Sequence, residues 1–183
     1  MSRTIKNRKS AYQDHPPYKI LPKQEEMAKE IGVSIEPSKD KMKKLDVFID
    51  FNYRAGQNKN RFPQQDEKIK VASIGGYYQD GEPYGDYFTY KKTGKDRYGN
   101  DVSAEKKRVL YNDRHKHEKK PMLFTPSKAI VDKIERETGA KFKPLKIGTP
   151  SFYADAILWN WIKPEWFKLK YDPKKIFVGD KLD

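Results

Sequence analysis

The sequence predicts an α+β fold: a small antiparallel sheet packed by two or three helices, with an extended N-terminal arm and a C-terminal tail. Three observations predict it. Residues 45–51 and 68–74 alternate apolar and polar side chains, the period-two pattern of half-buried strands. Helix start signals stand later in the chain at Ser103, Thr125-Pro126 and Thr149-Pro150. Residues 1–44, by contrast, are interrupted by Pro16, Pro17, Pro22 and Pro37, and proline favours extended chain over helix interiors.

Taken in order, residues 1–44 read as a basic arm, with eleven Lys and Arg against six Asp and Glu. One short helix fits at 23–31, with Pro22 at its start and Gly32 past its end. Met27 and Ile31 share a face at i, i+4, and so short a helix needs a partner surface. The compact domain is placed at 45–160 and the tail at 161–183. Leu45, Val47, Ile49 and Phe51 point to one side of the first strand. The second strand, 68–74, pairs with it antiparallel across a polar loop holding Gly56 and Pro63. Tyr87-Phe88-Thr89-Tyr90 has high β propensity and reads as a third strand. Ser103 caps a helix running to about His117, with Leu110, Tyr111, Arg114 and His115 on one stripe. The helix after Thr125-Pro126 turns Ile130, Val131 and Ile134 inward and stops at Gly139. The helix after Thr149-Pro150 is the most apolar stretch, with Phe152, Tyr153, Ala156, Ile157 and Trp159. Residues 166–171 alternate and read as a late strand or a tail lying on the core.

Composition narrows the function classes. The 183 residues carry 39 Lys and Arg against 26 Asp and Glu, a net charge of +13. Hydrophobic residues are 36%, below the ~45–50% of ordinary soluble domains, so a second full domain is not expected. Aromatics at 13% supply bulk for a small core. The absence of cysteine excludes disulfides, thiolate metal sites and Cys nucleophiles, and it causes no difficulty in a reducing compartment. The longest apolar run is Ala156-Ile157-Leu158-Trp159, far short of the ~20 residues of a membrane span. Residues 1–9 are basic without an apolar stretch behind them, unlike a secretory signal.

No chemistry-bearing constellation emerges. The basic charge suits an anionic partner, and it is densest over 91–120, with eleven Lys and Arg against five Asp and Glu. No paired-Cys finger, aromatic ribonucleoprotein motif or Gly-x-x-Gly clamp accompanies it. A solvated face, nucleic acid and acidic protein surfaces all remain open as its role. His15, His115 and His117 do not converge as zinc ligands. Asp46 and Asp50 share a strand face, as Mg²⁺-holding nuclease carboxylates do, but they lack a third acid and a nearby Lys. Gly75-Gly76 is no phosphate loop, no Gly-x-Ser-x-Gly elbow occurs, and no nucleophile, base and orienter assemble. No cofactor, metal or catalytic residue is therefore expected, with a nuclease kept as a minor alternative.

The order of segments over 44–160 resembles a family of small basic proteins of large double-stranded DNA viruses. The segments are Lys44-Leu45-Asp46-Val47-Phe48, Val71-Ala72-Ser73-Ile74-Gly75 and Gly85-Asp86-Tyr87-Phe88-Thr89-Tyr90. Lys107-Arg108-Val109-Leu110-Tyr111, Arg114-His115 and the run from Gly148 to Trp159 complete the set. Residues 53–67, 76–84 and 118–146 lengthen the connections, and the arm and tail lie outside the likeness. The resemblance implies a viral origin and a virion component, and no catalytic residue.

The expectation is a non-enzymatic virion structural protein, a minor capsid or cement protein made in the host cytoplasm. Its arms bridge larger capsid subunits and order on binding, because fixing a free chain costs ~1–2 kcal/mol per residue. Arg3, Arg8, Tyr12 and Tyr18 are the expected arm anchors, since Tyr and Arg suit interfaces. Tyr111, Arg114, His115, Phe152, Tyr153 and Trp159 are expected to join the helices to the sheet. Deleting residues 1–40 should then leave the domain folded. The alternative is a basic nucleic-acid-binding protein associated with the viral genome.

Overall fold

A computed structural model describes residues 10–54, 64–118, 122–139 and 141–161. The elements in chain order are α1 (Pro22–Glu30), β1 (Ser34–Pro37), β2 (Leu45–Arg54), β3 (Gln64–Ile74), α2 (Tyr87–Thr93) and α3 (Ala104–His115). A 3₁₀ turn (Lys116–Glu118), β4 (Met122–Phe124), α4 (Lys128–Thr138), β5 (Leu145–Ile147) and α5 (Pro150–Ile157) follow. The α+β class stands. One antiparallel sheet has the order β1-β2-β3, and β4 pairs with β5 in a second.

The alternating segment starting at Leu45 becomes the central strand because its apolar side is needed on the core. Leu45, Val47 and Ile49 are each fully buried, opposite Ile74, Ala72 and Ile69. Between Val47 and Phe48 the register shifts by one. Val71 is the extra residue of this bulge, and it lets both strands keep their apolar sets on one face. The hairpin is longer than the alternation marks, with pairing continuing to Arg54 and Gln64.

α5 runs through the middle. Every residue from Ser151 to Ile157 is buried, as expected of a helix apolar all round. Thr149 caps it, its hydroxyl accepting from the Phe152 amide at 3.3 Å, with Pro150 in the first turn. The Tyr153 hydroxyl, wholly buried, accepts the Gly148 amide at 3.1 Å.

Three expectations change. Tyr87-Phe88-Thr89-Tyr90 is helical, because the Asp86 carboxylate accepts from the Thr89 amide at 3.0 Å and Gly94 ends the helix with φ 63°. A four-residue aromatic run carries too little period to outweigh a cap and a stop. The helix after Thr125-Pro126 begins at Lys128 with Ser127 as N-cap, two residues later than the Thr-Pro pair suggests. Its inward set holds, Ile134 fully buried with Ile130 and Val131 packed against the core.

The third change is the largest. The segment before residue 45, expected to lie against other molecules, packs on its own chain from residue 10 onward. Ala28, Ile31 and Val33 belong to the same buried cluster as Leu45 and Ile157, and Met27 is buried beside them. β1 pairs with β2 from Ser34↔Phe48 to Pro37↔Leu45, and Pro37 is tolerated because β1 is an edge. Upstream, the Gln13 amide donates to the Gln79 carbonyl at 2.8 Å, and the His15 ring stacks on Tyr77 at 3.5 Å. Arg3 and Arg8, and the alternating run 166–171, lie outside the described residues. No helix among the described residues is long and apolar enough to cross a membrane.

Candidate functional site

A buried polar hub joins the N-terminal segment, the sheet and α2. The Lys44 and Asp86 side chains are only 2% and 3% exposed and meet at 3.0 Å. Lys44 stands just before β2, where a turn bonded from the Lys43 amide to the Asp40 carbonyl delivers it to the inner side. The Tyr18 hydroxyl donates to the same Asp86 oxygen at 2.9 Å and accepts from the Gln24 amide at 3.0 Å. The other Asp86 oxygen takes the Thr89 amide and hydroxyl at 3.0 and 3.1 Å. The Lys44 ammonium also donates to the Tyr84 carbonyl and lies 5.1 Å from the centre of the Tyr18 ring.

Both carboxylate oxygens therefore have donors, which a buried charge requires. Burial, and then the neighbouring Asp86 carboxylate, push the Tyr18 phenol well above its ordinary range, so it stays a donor. Burial pulls the Lys44 ammonium below its ordinary range, with Asp86 opposing. Gly75 is fitted to this arrangement. Its φ is +73°, and a Cβ there would come within 2.7 Å of the Lys44 side chain.

Above the hub opens a cleft of about 850 Å³ between the end of β3, the loop after it, α3 and the face of α5 that carries Pro150, Ala154 and, just past its end, Leu158. Its floor is a run of near-parallel rings. Trp159 lies 5.0 Å from Tyr111 at 24° and 6.3 Å from Tyr90 at 29°. His115 continues the run 4.4 Å from Tyr111, and its Nδ1 is 2.7 Å from Glu118. Lys43, Lys107 and Arg114 also line it, with the Lys107 ammonium 5.6 Å from the Tyr90 ring. On the other wall Tyr84, 44% exposed, meets Tyr78 edge-on at 4.2 Å.

The expected site residues divide accordingly. Phe152, Tyr153 and Trp159 are buried in the core. Tyr111 packs against the core from the cleft side, and His115 stands beside it, while Arg114 is exposed on α3. Tyr12 lines the cleft. Tyr18 is held within the chain and is not available to a neighbouring subunit in the way an arm anchor would be. Asp46 and Asp50 do not act together: Asp46 is buried, accepting from Ser73 at 2.7 Å and facing Lys70 at 3.1 Å, whereas Asp50 is exposed. No group of three His, Cys, Asp or Glu among the described residues is placed to hold a metal ion.

An ion pair ties α2 to α3 below the cleft rim, Lys91 to Glu105 at 2.7 Å. The Lys91 ammonium, first among the causes, brings the Glu105 carboxyl from 4.5 down to about 2. A carboxyl lowered in this way contributes to stability above its unfolded pKa, and that contribution fades as pH falls from 4.5 towards 2. In a carboxyl NMR titration Glu105 should titrate near 2 in the native chain and move back towards 4.5 in Lys91→Met. An unchanged midpoint would show that Lys91 is not the cause.

No protein-family model, curated protein or solved structure matches the chain.

Proposed function

We propose that the chain is a non-enzymatic structural protein of a viral particle, docking through its folded body on acidic surfaces of larger capsid proteins. The observation that carries this reading is the outer face of α3. Val109 and Leu110 are 48% and 56% exposed there, on one stripe with exposed Lys106, Arg114 and His117. An apolar centre within a polar rim is how protein interfaces are built, and the rim is net basic, with Lys106 and Arg114 against Asp113, which fits an acidic partner. The net charge of +13 favours the same encounter. The hub supports a structural role too, because the buried Lys44 and Asp86 side chains are engaged in holding elements together.

The reading differs from one based on free arms. Residues 10–44 are part of the body, so the docking surface proposed is a helix face and not an extended strand of chain. Virion localisation and synthesis in the host cytoplasm belong to this proposal and rest on the resemblance over 44–160.

The test is mass spectrometry of purified particles before and after the outer shell is stripped, with native chain and Val109→Asp. The native protein should be present and leave with the shell or remain as a bound component. Val109→Asp, at an exposed position, should keep its melting curve and lose most of its incorporation. Absence of the native chain from particles, or full incorporation of Val109→Asp, would overturn the proposal. The nucleic-acid reading has its own observation, the ring-floored cleft.

A further inference from the structure

We propose that the cleft above the Lys44–Asp86 hub binds single-stranded nucleic acid, taking flat bases against its rings and phosphates against its rim. This does not depend on the particle-docking reading, which is tested at Val109, outside the cleft lining, although Leu110 and Arg114 border both surfaces.

The volume of about 850 Å³ lies within the ~300–1,000 Å³ of ligand sites. The lining has two chemistries side by side. Tyr90 and Tyr111 form a slab over the buried Trp159 with interplanar angles of 29° and 24°, so that their half-buried rings offer its open surface, and Tyr84 stands across from it with 44% of its surface open. Bases stack on such surfaces irrespective of sequence. Lys43, Lys107 and Arg114 supply positive charge along the same walls. Two carboxylates reach the cleft: Asp86 is matched by Lys44, and Glu118 alone is outnumbered by Lys43, Lys107 and Arg114. Tyr84 and Tyr90 have phenols raised by burial, so they remain neutral hydrogen-bond donors beside an anion.

The strandedness follows from the shape of the lining. A duplex keeps base faces inside its own stack and would offer the rings nothing, whereas an unpaired strand exposes them. An acidic peptide would satisfy the cations and leave the ring slab unused.

The experiment is fluorescence anisotropy of a labelled twelve-nucleotide oligothymidylate with the full chain, over a salt series. Tyr84→Ala should weaken binding about tenfold, in line with the loss of one stacked base. The double variant Lys107→Glu/Arg114→Glu should weaken binding and flatten the slope of log affinity against log salt by about 1.4, two phosphate contacts on a single strand. Lys29→Glu/Lys128→Glu makes the same charge change at exposed sites outside the cleft and should leave the affinity within about threefold, as distant surface charges are screened. Melting curves of all variants confirm that the fold persists. No binding of the native chain would overturn the proposal. Equal loss in the two charge-reversed doubles, an unaffected Tyr84→Ala, or equal affinity for duplex would also overturn it, each pointing to diffuse attraction by net charge. Loss of this binding would leave the particle test untouched, so the two readings fail separately.

Discussion

Asp86→Ala will destabilise the fold by about 3–5 kcal/mol, the range for removing one partner of a buried ion pair. The carboxylate answers four donors: Lys44, Tyr18, and the amide and hydroxyl of Thr89. Alanine leaves the Lys44 ammonium 2% exposed without its anion and removes the N-cap of α2, itself worth about 1 kcal/mol. Asp86→Asn keeps one acceptor, enough for the Thr89 cap, but turns its NH2 towards the Lys44 and Tyr18 donors, so it should recover only the cap's share of about 1 kcal/mol. Lys44→Met/Asp86→Asn should lose less than the sum of its single variants, because neither partner is left as a lone buried charge. Urea unfolding followed by circular dichroism measures all four. A loss under about 1 kcal/mol for Asp86→Ala, the value for an exposed pair, would mean that the hub is open to water.

The second large effect concerns the N-terminal segment. Removing residues 1–40 takes Met27, Ile31 and Val33 out of the core, β1 off the sheet edge and Tyr18 away from Asp86. Burying one such apolar side chain contributes about 1.5–3 kcal/mol, so three amount to roughly 5–9 kcal/mol. Typical domains have only about 5–15 kcal/mol in total. The truncated chain should therefore lose its cooperative melting transition and become sensitive to protease. The arm reading from sequence leads to the opposite result, a folded remainder. A truncated chain that melts as sharply as the native one would restore that reading.

The contrast shows where the sequence is informative. β2 and the core part of β3 are legible because one face is buried and the other is not, so Leu45, Val47 and Ile49 print their alternation. α5 is legible from Thr149-Pro150 and its apolar run. β1, β4 and β5 are three or four residues long, too short for any period to appear. Their existence depends on a partner strand elsewhere in the chain. The arm reading fails because charge and proline dominate the composition before residue 45, while the residues that anchor the segment are few: Gln24, Met27, Ala28, Ile31 and Val33. The hub was hidden for a different reason. Lys44 and Asp86 are 42 positions apart, and a lysine beginning a strand has no local feature to mark it as buried. Gly75 was the nearest signal, since a glycine in the left-handed region leaves room for the lysine stem. The cleft combines residues from Tyr12 to Trp159; Tyr111, Arg114 and His115 stand on one helix stripe, but only the fold brings Tyr84, Tyr90 and Trp159 to them.

The claim on which the rest depends is that residues 10–44 are built into the body of a single chain. Amide hydrogen exchange on the isolated, dilute protein tests it most directly. The Val33 amide donates to Ala28, Ser38 to Lys44, and Lys44 to Ile74, so these three should exchange as slowly as the amides at the centre of β2. Rapid exchange at Val33 and Ser38, with β2 still protected, would show a segment that orders only against other molecules.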